Sequence, residues 1–402
     1  MKIAVIGVKG LPAQQGGIER YCEELYPRLV AQGHQVDLYA RPSYGKQSWF
    51  SIYTYRGVRV ICLPSINWRG LDAFFSSAIA SFATVWQNYD VVHFHALGPA
   101  LFSWLPRLAS SAKVVVTCQG LDWQRAKWGK LSSKIIYWGE KTAVKHVHAL
   151  IAVSQDLQSY FASTYGLRAA YIPNGPGEFS KSDPDFRYVR SLDLTPDRYF
   201  LFLGRLVPEK RPDLLIQAFQ KLQNQDWKLV FTGGISDTEK YSDYLQQLAA
   251  DNPNIIFTGE LQGKWLAEVV RGAGLFVLPS DLEGLPLVML EAMQEAVPVL
   301  ASDIPPHVQL ISPDKGYLFE AGSCDSCVEA LNIALQQPEV RAAMAKKAQR
   351  QVLAKYNWQK ITEENLSIYC SLMSDTPQSS KSAATEAKAV QAEEQQSLSN
   401  RR

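Results

Sequence analysis

The sequence predicts an α/β protein made of two Rossmann-like doubly wound domains that face each other across a cleft. The chain has 402 residues, a length at which two domains are the ordinary expectation. Short apolar runs closed by glycine or polar loops alternate with segments of helical spacing, which is typical of parallel sheets covered by helices. This alternation occurs twice, and a segment at 176–198 rich in Ser, Asp, Pro and Arg separates the two series.

The first forty residues show the repeating unit. Lys2–Gly7 is an apolar run closed by glycine, Ile18–Gln32 has the spacing of an amphipathic helix, and Gln35–Ala40 is the next apolar run. Further strands of the first series are predicted at Val58–Leu63, Val91–His95, Lys113–Cys118, Leu150–Val153 and Tyr171–Ile172. Strands of the second series are predicted at Tyr199–Leu203, Lys228–Thr232, Ile255–Thr258, Leu275–Leu278, Pro298–Ala301 and Gly316–Phe319.

These segments set the predicted domain boundaries. They give an N-terminal domain at 1–175, a linker at 176–198, a second domain at 199–356, a closing helix at 357–373 and a disordered tail at 374–402. The tail is predicted to be disordered because it is rich in Ser, Gln, Ala and Glu and offers little apolar surface to bury.

Composition and charge exclude several classes of function. Apolar residues form 47% of the chain, enough for two ordinary cores, and a net charge of +2 gives no reason to expect nucleic-acid binding. The apolar runs are shorter than the roughly 18 residues of a membrane span, and the first is shorter than the roughly 7–15 residues of a signal peptide. We therefore expect a cytoplasmic protein. The pair Cys324 and Cys327 lacks the second pair of a zinc ribbon and is interpreted as two ordinary thiols.

Ligands of open parallel sheets bind beyond the carboxyl ends of the strands, so the loops that follow the strands are the expected site. Gly204 follows one predicted strand and allows a close backbone approach, and Arg205 and Lys210 bring two cations to the same rim. This arrangement suits a diphosphate; the alternative is a solvated turn with ordinary surface charges. After a later strand, Glu283 precedes a helix predicted to start near Leu285–Leu287, where backbone N–H groups point outward. The alternative for Glu283 is a simple partner of the helix dipole.

Two motifs resemble a known family. Glu283 and Glu291 form E-x7-E within SDLEGLPLVMLEAM, and GRLVPEKRPDLLI lies earlier in the chain. Together they closely resemble glycosyltransferase family four, a retaining family of the GT-B fold. The opening VIGVKGLPAQQGGIERYCEELYPRLVAQGHQVDLYARP, with VVHFHALGP and TCQGLDWQRAKWGK, resembles a bacterial rhamnosyltransferase-like subgroup. The resemblance covers roughly residues 1–373.

The resemblance implies roles for the matching residues. Glu283 corresponds to a glutamate that contacts hydroxyls of the donor sugar, and Glu291 to one that binds the ribose hydroxyls of the nucleotide. The other positions that it assigns to the nucleotide-sugar donor are Gly16, Gly17, Gly204, Arg205, Lys210, Gly233, Gly259, Gly284, Leu285 and Pro286.

On the acceptor side, the resemblance implies that His95 lines the cleft and that His93 is structural. The family commonly has T-x-H-G where this chain reads TCQG, so Gln119 stands in the place of a histidine. Glutamine can hydrogen-bond a hydroxyl but cannot act as acid or base at neutral pH. Enzymes of this class are thought to use the leaving diphosphate as base, so the protein mainly positions substrates and stabilises charge. Asp122 is a candidate for binding the acceptor or assisting as a carboxylate.

No metal and no other cofactor is expected. His93 and His95 share a strand face but lack an evident third ligand. Asp183-Pro184-Asp185 has the D-x-D spelling of metal-dependent GT-A enzymes but lies in the predicted linker. The two cations and the helix start can neutralise the diphosphate instead.

The stretch Trp123–His148 interleaves basic and aromatic residues. A helix of this kind could rest on an anionic membrane, at the inner face of the cytoplasmic membrane, and meet a lipid-linked acceptor. The alternative is a solvated helix whose aromatic face lies in the core.

The leading hypothesis is a retaining hexosyl- or deoxyhexosyltransferase. It would move a sugar from a nucleotide-diphosphate donor to a glycan or lipid-linked glycan in polysaccharide or glycoconjugate synthesis. A second hypothesis is a GT-B-like phosphorylase or epimerase. The E-x7-E pair counts against the epimerase, and the lack of an evident pyridoxal phosphate lysine motif counts against the phosphorylase. A third is a non-catalytic nucleotide-sugar-binding protein of the same fold, which Gln119 motivates.

Overall fold

The computed structural model describes residues 1–13, 16–41, 48–64, 71–124, 129–222, 226–234, 239–250 and 252–374. Within them the chain forms two α/β units, each built on its own mostly or wholly parallel sheet, which confirms the predicted fold class. Apart from Ser374, the tail predicted at 374–402 lies outside the described residues.

The first sheet has eight strands in the described part of the chain. They are β1 (Lys2–Ile6), β2 (Gln35–Ala40), β3 (Ile52–Tyr55), β4 (Val58–Cys62), β5 (Val91–His95), β6 (Lys113–Cys118), β7 (Ala149–Ala152) and β8 (Ala170–Tyr171). Their spatial order is β3-β4-β2-β1-β5-β6-β7-β8, and β3 alone of these runs antiparallel to its neighbour. The prediction missed β3 because this edge strand buries none of its side chains fully and so lacks the continuous apolar run of the others.

Helices cover both faces of the first sheet. They are α1 (Gly17–Ala31), α2 (Leu71–Val85), α3 (Trp104–Ala109), α4 (Lys130–His146) and α5 (Gln155–Tyr165). Alternate residues of β1 enter opposite cores, with Ile3 and Val5 in one core and Ala4 and Ile6 in the other. The core of Ile3 and Val5 also holds α1, and the other core holds α4 and α5.

The second sheet contains β9 (Tyr199–Leu203), β10 (Lys228–Thr232), β11 (Ile255–Gly259), β12 (Leu275–Leu278), β13 (Val299–Ser302) and β14 (Tyr317–Phe319). Its order is β11-β10-β9-β12-β13-β14, and the described pairs are all parallel. The strand order reverses between β9 and β12, so the loops after these two strands open into one crevice. The helices of this part are α6 (Arg187–Ser191), α7 (Pro212–Lys221), α8 (Glu239–Ala249), α9 (Gly263–Arg271), α10 (Leu287–Gln294), α11 (Pro305–Ile311), α12 (Cys324–Gln336) and α13 (Pro338–Lys355).

The linker is shorter than predicted. Within the range 176–198, Val189 of α6 and Leu194 are buried in the core of the second domain. The backbone N–H of Val189 donates to Glu268 Oε1 at 3.0 Å, which ties α6 to α9. Because both side chains pack in the core of the second domain, 187–198 belongs to that domain. The prediction missed this because the rest of the segment is polar.

The last described helix, α14 (Trp358–Ser374), returns to the first domain. Trp358, Ile361 and Tyr369 lie in the first domain's core with α1. The Tyr21 hydroxyl donates to Asn365 Oδ1 at 3.1 Å, and Trp358 Nε1 donates to the carbonyl of Pro176 at 2.8 Å. The closing helix therefore packs on the first domain and also holds the segment that links the two domains.

Candidate functional site

The loops after β9, β10 and β11 form a continuous glycine-lined rim. The N–H of Gly204 donates to the carbonyl of Thr232 at 3.0 Å, and the N–H of Gly233 donates to that of Gly259 at 2.9 Å. A Cβ on Gly233 would lie 1.9 Å from the Gly204 carbonyl oxygen, so only glycine allows this backbone contact. At Gly204, where φ is +151°, an added Cβ would lie 3.4 Å from Lys210 Cδ. Three predicted donor-binding glycines are thereby brought together beside Lys210.

Lys210 and Glu283 meet at the point where the strand order reverses. Lys210 Nζ lies 2.5 Å from Glu283 Oε1, and both side chains are only 13% exposed. The Ser280 hydroxyl donates to the same carboxylate oxygen at 2.9 Å. The backbone N–H of Asp281 donates to the carbonyl of Glu209 at 2.9 Å, which joins the two loops. The predicted diphosphate-binding cation and the predicted sugar-binding carboxylate are thus one ion pair.

The electrostatics of this pair keep Glu283 ionised. Burial acts to raise the pKa of the Glu283 carboxyl, but the Lys210 cation, His307 and the Ser280 hydroxyl outweigh it. The net pKa lies below the ordinary value for glutamate. Glu283 is therefore a fixed anion at neutral pH, suited to accept hydrogen bonds rather than to exchange a proton.

His307 lies behind this pair, in the first turn of α11. Its Nδ1 lies 2.9 Å from the carbonyl oxygen of Ser302, which can only accept, so Nδ1 carries the proton. The Nε2 atom is buried and has no partner among the described residues. Burial lowers the pKa of His307 to about 4, although nearby Glu283 acts to raise it. The ring is therefore neutral, with an unoccupied acceptor atom near Glu283.

Glu291 lies in the second turn of α10, as predicted, and faces the first domain. Glu291 Oε1 accepts a hydrogen bond from the N–H of Gly177 at 3.3 Å. Burial raises the pKa of Glu291 to about 7, while the Arg20 cation from α1 and the Gly177 N–H act to lower it. A carboxyl group with this pKa changes charge near neutral pH.

The two domains touch at the predicted site. A Cβ on Gly284 would lie 2.2 Å from the backbone oxygen of Gln119, and one on Gly17 would lie 3.3 Å from Leu287 Cδ1. Glycine at 284 and 17 thus allows the loop before α10 to approach the first domain closely. The contact places Gln119 directly across the cleft from the loop that carries Glu283.

Gln119 forms an incomplete amide pair with Asn174, which follows β8. Asn174 Nδ2 donates to Gln119 Oε1 at 2.6 Å. Gln119 Nε2 and Asn174 Oδ1 are buried and have no partner among the described residues. One group is a donor and the other an acceptor, and a single hydroxyl group can satisfy both. A water molecule or a substrate hydroxyl has both functions, so the pair can bind either.

Two families match this chain. The family described as "Glycosyl transferase 4-like domain" matches residues 16–175, and the one described as "Glycosyl transferases group 1" matches residues 188–351. This chain carries the two domains of a glycosyltransferase. It is similar to an uncharacterized glycosyltransferase, MJ1607, of Methanocaldococcus jannaschii, with 27% identity over 393 residues that cover 92% of this chain and 98% of the relative.

Solved structures show that the fold is GT-B. Sucrose-phosphate synthase from Thermosynechococcus elongatus has a TM-score of 0.80 at 21% identity and covers 93% of this chain and 100% of its own. Anabaena HepE in complex with UDP and glucose has a TM-score of 0.74 at 18% identity, with 92% and 100% covered.

In this glycosyltransferase, His95 does not line the cleft, contrary to the prediction. Its side chain is fully buried, and Nε2 lies 2.6 Å from the Tyr26 hydroxyl. His93 contacts Tyr369 and Thr117 at 2.6 and 2.7 Å. Burial lowers the pKa of His95 to about 3, so its ring is neutral. Both histidines join β5 to α1 and α14, and the period of the strand could not reveal that α14 covers this face.

Five other residues of the predicted site lie in loops, in turns or directly before helices. Asp122 lies in a 3₁₀ turn that follows Gln119, partly exposed at the cleft edge. Gly16, with φ of +102°, precedes α1, and Arg205 lies directly after Gly204. Pro286 immediately precedes α10, and Leu285 packs against the cores of both domains.

Within the residues described, no group of three His, Cys, Asp or Glu is placed to hold a metal ion. Asp183 and Asp185 form a local turn in which Asp185 N–H donates to Asp183 Oδ1 at 2.9 Å, and Arg187 pairs with both. The D-x-D spelling therefore belongs to an exposed turn.

Three residues of the site were missed by sequence reasoning. Arg20 lies one turn into α1, Asn174 follows the shortest strand of the first sheet, and His307 lies in the first turn of α11, after β13. The only sequence signal was position, since Asn174 and His307 both follow strand ends.

Proposed function

We propose that this glycosyltransferase moves a sugar, with retention of configuration, from a nucleotide-diphosphate donor to a glycan or lipid-linked glycan. The observation that carries the proposal is the Lys210–Glu283 ion pair at the sheet's reversal point, facing Gln119 across the contact between the domains. An anion that accepts hydroxyl hydrogen bonds and a cation that attracts phosphate are the two groups that a nucleotide sugar requires.

The donor would lie along the glycine rim. Glu291 is proposed to accept hydrogen bonds from the ribose hydroxyls, Lys210 and Arg205 to bind the diphosphate, and Glu283 to contact the sugar. Lys210 would then share its charge between Glu283 and the diphosphate. HepE, which has the same fold, was solved with UDP and glucose, and this supports a nucleotide-sugar donor here. The resemblance of the opening motifs favours a hexose or deoxyhexose.

The chemistry of the cleft supports a reaction without an enzyme base at the acceptor. The pKa of Glu283 is lowered and that of the buried His307 is about 4, so both are weak bases, and Gln119 cannot titrate. The proton of the acceptor hydroxyl is therefore proposed to pass to the leaving diphosphate, with the protein supplying position and charge stabilisation. Gln119 and Asn174 are proposed to orient a substrate hydroxyl.

A donor screen tests the proposal. The protein is incubated with UDP-, GDP-, dTDP- and ADP-sugars, and nucleotide release is measured with and without acceptor glycans. We expect one donor class to be consumed faster when an acceptor is present. Tight donor binding without turnover on any acceptor would instead favour the non-catalytic binding protein that Gln119 first suggested.

Donor affinity is expected to depend on pH through Glu291. The ionised carboxylate is the better acceptor for two ribose hydroxyls, so affinity for the nucleotide sugar should fall as the pH drops below about 7. The limit is about tenfold per pH unit. Calorimetric titrations in buffers of different ionisation enthalpy should detect a proton released on binding near this pH. A nucleotide sugar is the right probe because its diphosphate does not itself titrate there.

Glu291→Gln supplies the control for this effect. The variant should bind the donor more weakly and show a flat pH profile. Because the pKa of Glu291 is raised in the fold, its ionisation costs stability as the pH rises from the ordinary glutamate value through about 7. The variant should therefore melt at a higher temperature than the wild type at pH 8. An unchanged pH profile would refute the ribose assignment.

Apolar substitutions of the amide pair Gln119 and Asn174 are expected to lower activity without lowering thermal stability. In Gln119→Met with Asn174→Leu, both orphaned polar atoms are replaced by apolar groups of similar shape, so the melting temperature should stay level or rise. Turnover should fall about tenfold or more, since a substrate hydroxyl loses two partners. A lower melting temperature with unchanged turnover would assign the pair to structure alone.

A further inference from the structure

Helix α2 exposes its apolar face. Phe75, Ile79, Phe82 and Trp86 are exposed and spaced by four, three and four residues, so they form a single stripe that runs along α2 and onto the residue after it. Phe82 is 57% exposed and Trp86 65%, and their rings contact each other with centroids 4.1 Å apart. Large apolar side chains grouped on one exposed face mark an interaction site.

The opposite face of α2 is polar and buried. Ser77, Ser81 and Thr84 are buried, and each donates its hydroxyl hydrogen to a carbonyl of the same helix, at 2.6, 2.7 and 2.7 Å. An ordinary surface helix has the reverse arrangement, with apolar residues inward and hydroxyls outward. The pattern of α2 is therefore suited to an environment in which its outer face is withdrawn from water.

Two neighbouring helices extend this surface. Helix α3 packs against both α2 and α4. It exposes Trp104 and Leu108, and α4 exposes Leu131, which is 73% accessible, and Trp138. We call the exposed faces of α2, α3 and α4 the docking face.

The charges of the docking face all have one sign. On α4, Lys134, Lys141 and Lys145 are exposed and alternate with Leu131 and Trp138 on the same stripe. Helix α3 adds the exposed Arg107.

The acids of these three helices are turned inward. They are Asp72, which is buried beside Arg41, and Glu140, which is fully buried. Glu140 accepts hydrogen bonds from Trp123 and the tyrosines 160 and 165. Apolar stripes among unopposed cations complement an anionic lipid surface, because lysine stems lie along apolar material while their heads reach phosphate.

The docking face adjoins the cleft. Helix α4 follows the loop that carries Gln119 and Asp122, and Trp123 of that loop donates to Glu140 of α4 at 2.8 Å. Leu285, two residues from Glu283, packs against the same core as Trp123. The helix that carries the cationic stripe is therefore tied to the loop on the acceptor side of the site.

We propose that the docking face binds peripherally to an anionic membrane. If the proposed function holds, its acceptor is a lipid-linked sugar presented at that surface. The described residues contain no helix long and apolar enough to cross a membrane. A second copy of the chain fits less well, because pairing two such faces would oppose cations to cations. This surface differs from the one predicted at Trp123–His148, because Trp123 packs inward and the main apolar stripe is on α2.

Cosedimentation of the full chain with vesicles tests the proposal. We expect pelleting with vesicles that contain phosphatidylglycerol, little with phosphatidylcholine alone, and release by salt. Phe82→Ser with Trp86→Ser should lower vesicle affinity about tenfold or more. Lys134→Gln, Lys141→Gln and Lys145→Gln together should lower it about a hundredfold, from roughly fivefold for each cation.

Matched controls come from α13. Leu353→Ser and Lys346→Gln replace an exposed apolar residue and an exposed lysine in the second domain and should leave vesicle affinity unchanged. Thermal melting and donor binding should be unaltered in both docking-face variants, which separates a failure of this proposal from a failure of the proposed function. The proposal would be overturned if the wild type bound vesicles equally well with and without anionic lipid. It would also be overturned if both sets of substitutions left vesicle affinity unchanged. A wild-type dimer that dissociates when Phe82→Ser and Trp86→Ser are combined would overturn it as well.

Discussion

Replacing Glu283 with glutamine is expected to lower the rate of sugar transfer by roughly 10²–10³-fold. The amide can still accept hydrogen bonds from Lys210 and Ser280, so the loop should keep its shape. What is lost is the negative charge, and with it the charge-assisted hydrogen bonds to donor hydroxyls and the counter-charge of Lys210. Because ribose and diphosphate contacts involve other residues, donor affinity should change by only a few fold. Steady-state kinetics and calorimetric titration measure the two effects separately.

Asp281→Asn is the matched control for this variant. Asp281 lies two residues away in the same loop, is exposed and pairs with Arg211 at 3.2 Å. The same change from carboxylate to amide should cost little there, since exposed ion pairs contribute about 0–1 kcal/mol. Equal losses in the two variants would point to general disturbance of the loop, and full activity in Glu283→Gln would refute the sugar contact.

Gly284→Ala is expected to reduce transfer about 100-fold for a steric reason. The added Cβ would lie 2.2 Å from the Gln119 carbonyl oxygen, a backbone atom that cannot rotate away as a flexible side chain would. The domains would have to separate by about 1 Å at the site, and a displacement of that size costs about 10²-fold when reacting groups must be aligned. Small-angle scattering should show a slightly larger radius of gyration, while donor binding in the second domain persists.

Gly129→Ala is the control for the glycine substitution. Its φ is −65°, and an added Cβ would meet nothing within 4 Å. This variant should transfer sugar at close to the wild-type rate. Normal activity in Gly284→Ala would mean that the contact between Gly284 and Gln119 is absent from the working state of the enzyme.

The fold was predictable because the sequence patterns that indicate its strands lie within single short segments. Apolar runs such as Tyr199–Leu203, closed by Gly204, identify buried parallel strands without knowledge of their neighbours. The edge strand at Ile52–Tyr55 was missed because it is half solvated, and α6 was missed because its one buried side chain, Val189, lies in a polar segment. Prediction from local sequence patterns therefore succeeded for the strands and helices that are buried along their whole length.

The site was predictable where its residues lie close in sequence. Glu283 and Glu291 share one loop and helix, and their spacing fixes their relation before the fold is known. Lys210 was predicted as a cation for phosphate, but its pairing with Glu283 depends on how β9 and β12 meet. The partners of Glu291, Arg20 in the first domain and Gly177 in the segment between the domains, depend on the approach of the two domains. Such contacts have no signature in a single sequence.

Burial was the property that sequence reasoning judged least well. The family resemblance implied that His95 lines the cleft, yet α14, from the far end of the chain, places Tyr369 against the neighbouring His93 and helps to cover the pair. In α2, hydroxyl and aromatic residues have helical spacing, but spacing alone does not say which face turns inward. The structure shows the aromatic face outward, against the usual rule.

The central claim is that the cleft transfers a sugar from a nucleotide donor with retention. Proton NMR of the wild-type enzyme with its accepted donor and acceptor tests this most directly. The anomeric signal of the donor should decay as the free nucleotide appears in equal amount, and the new glycosidic signal should have the same anomeric configuration as the donor. A product of opposite configuration, or no consumption of any nucleotide sugar with any acceptor, would contradict the account.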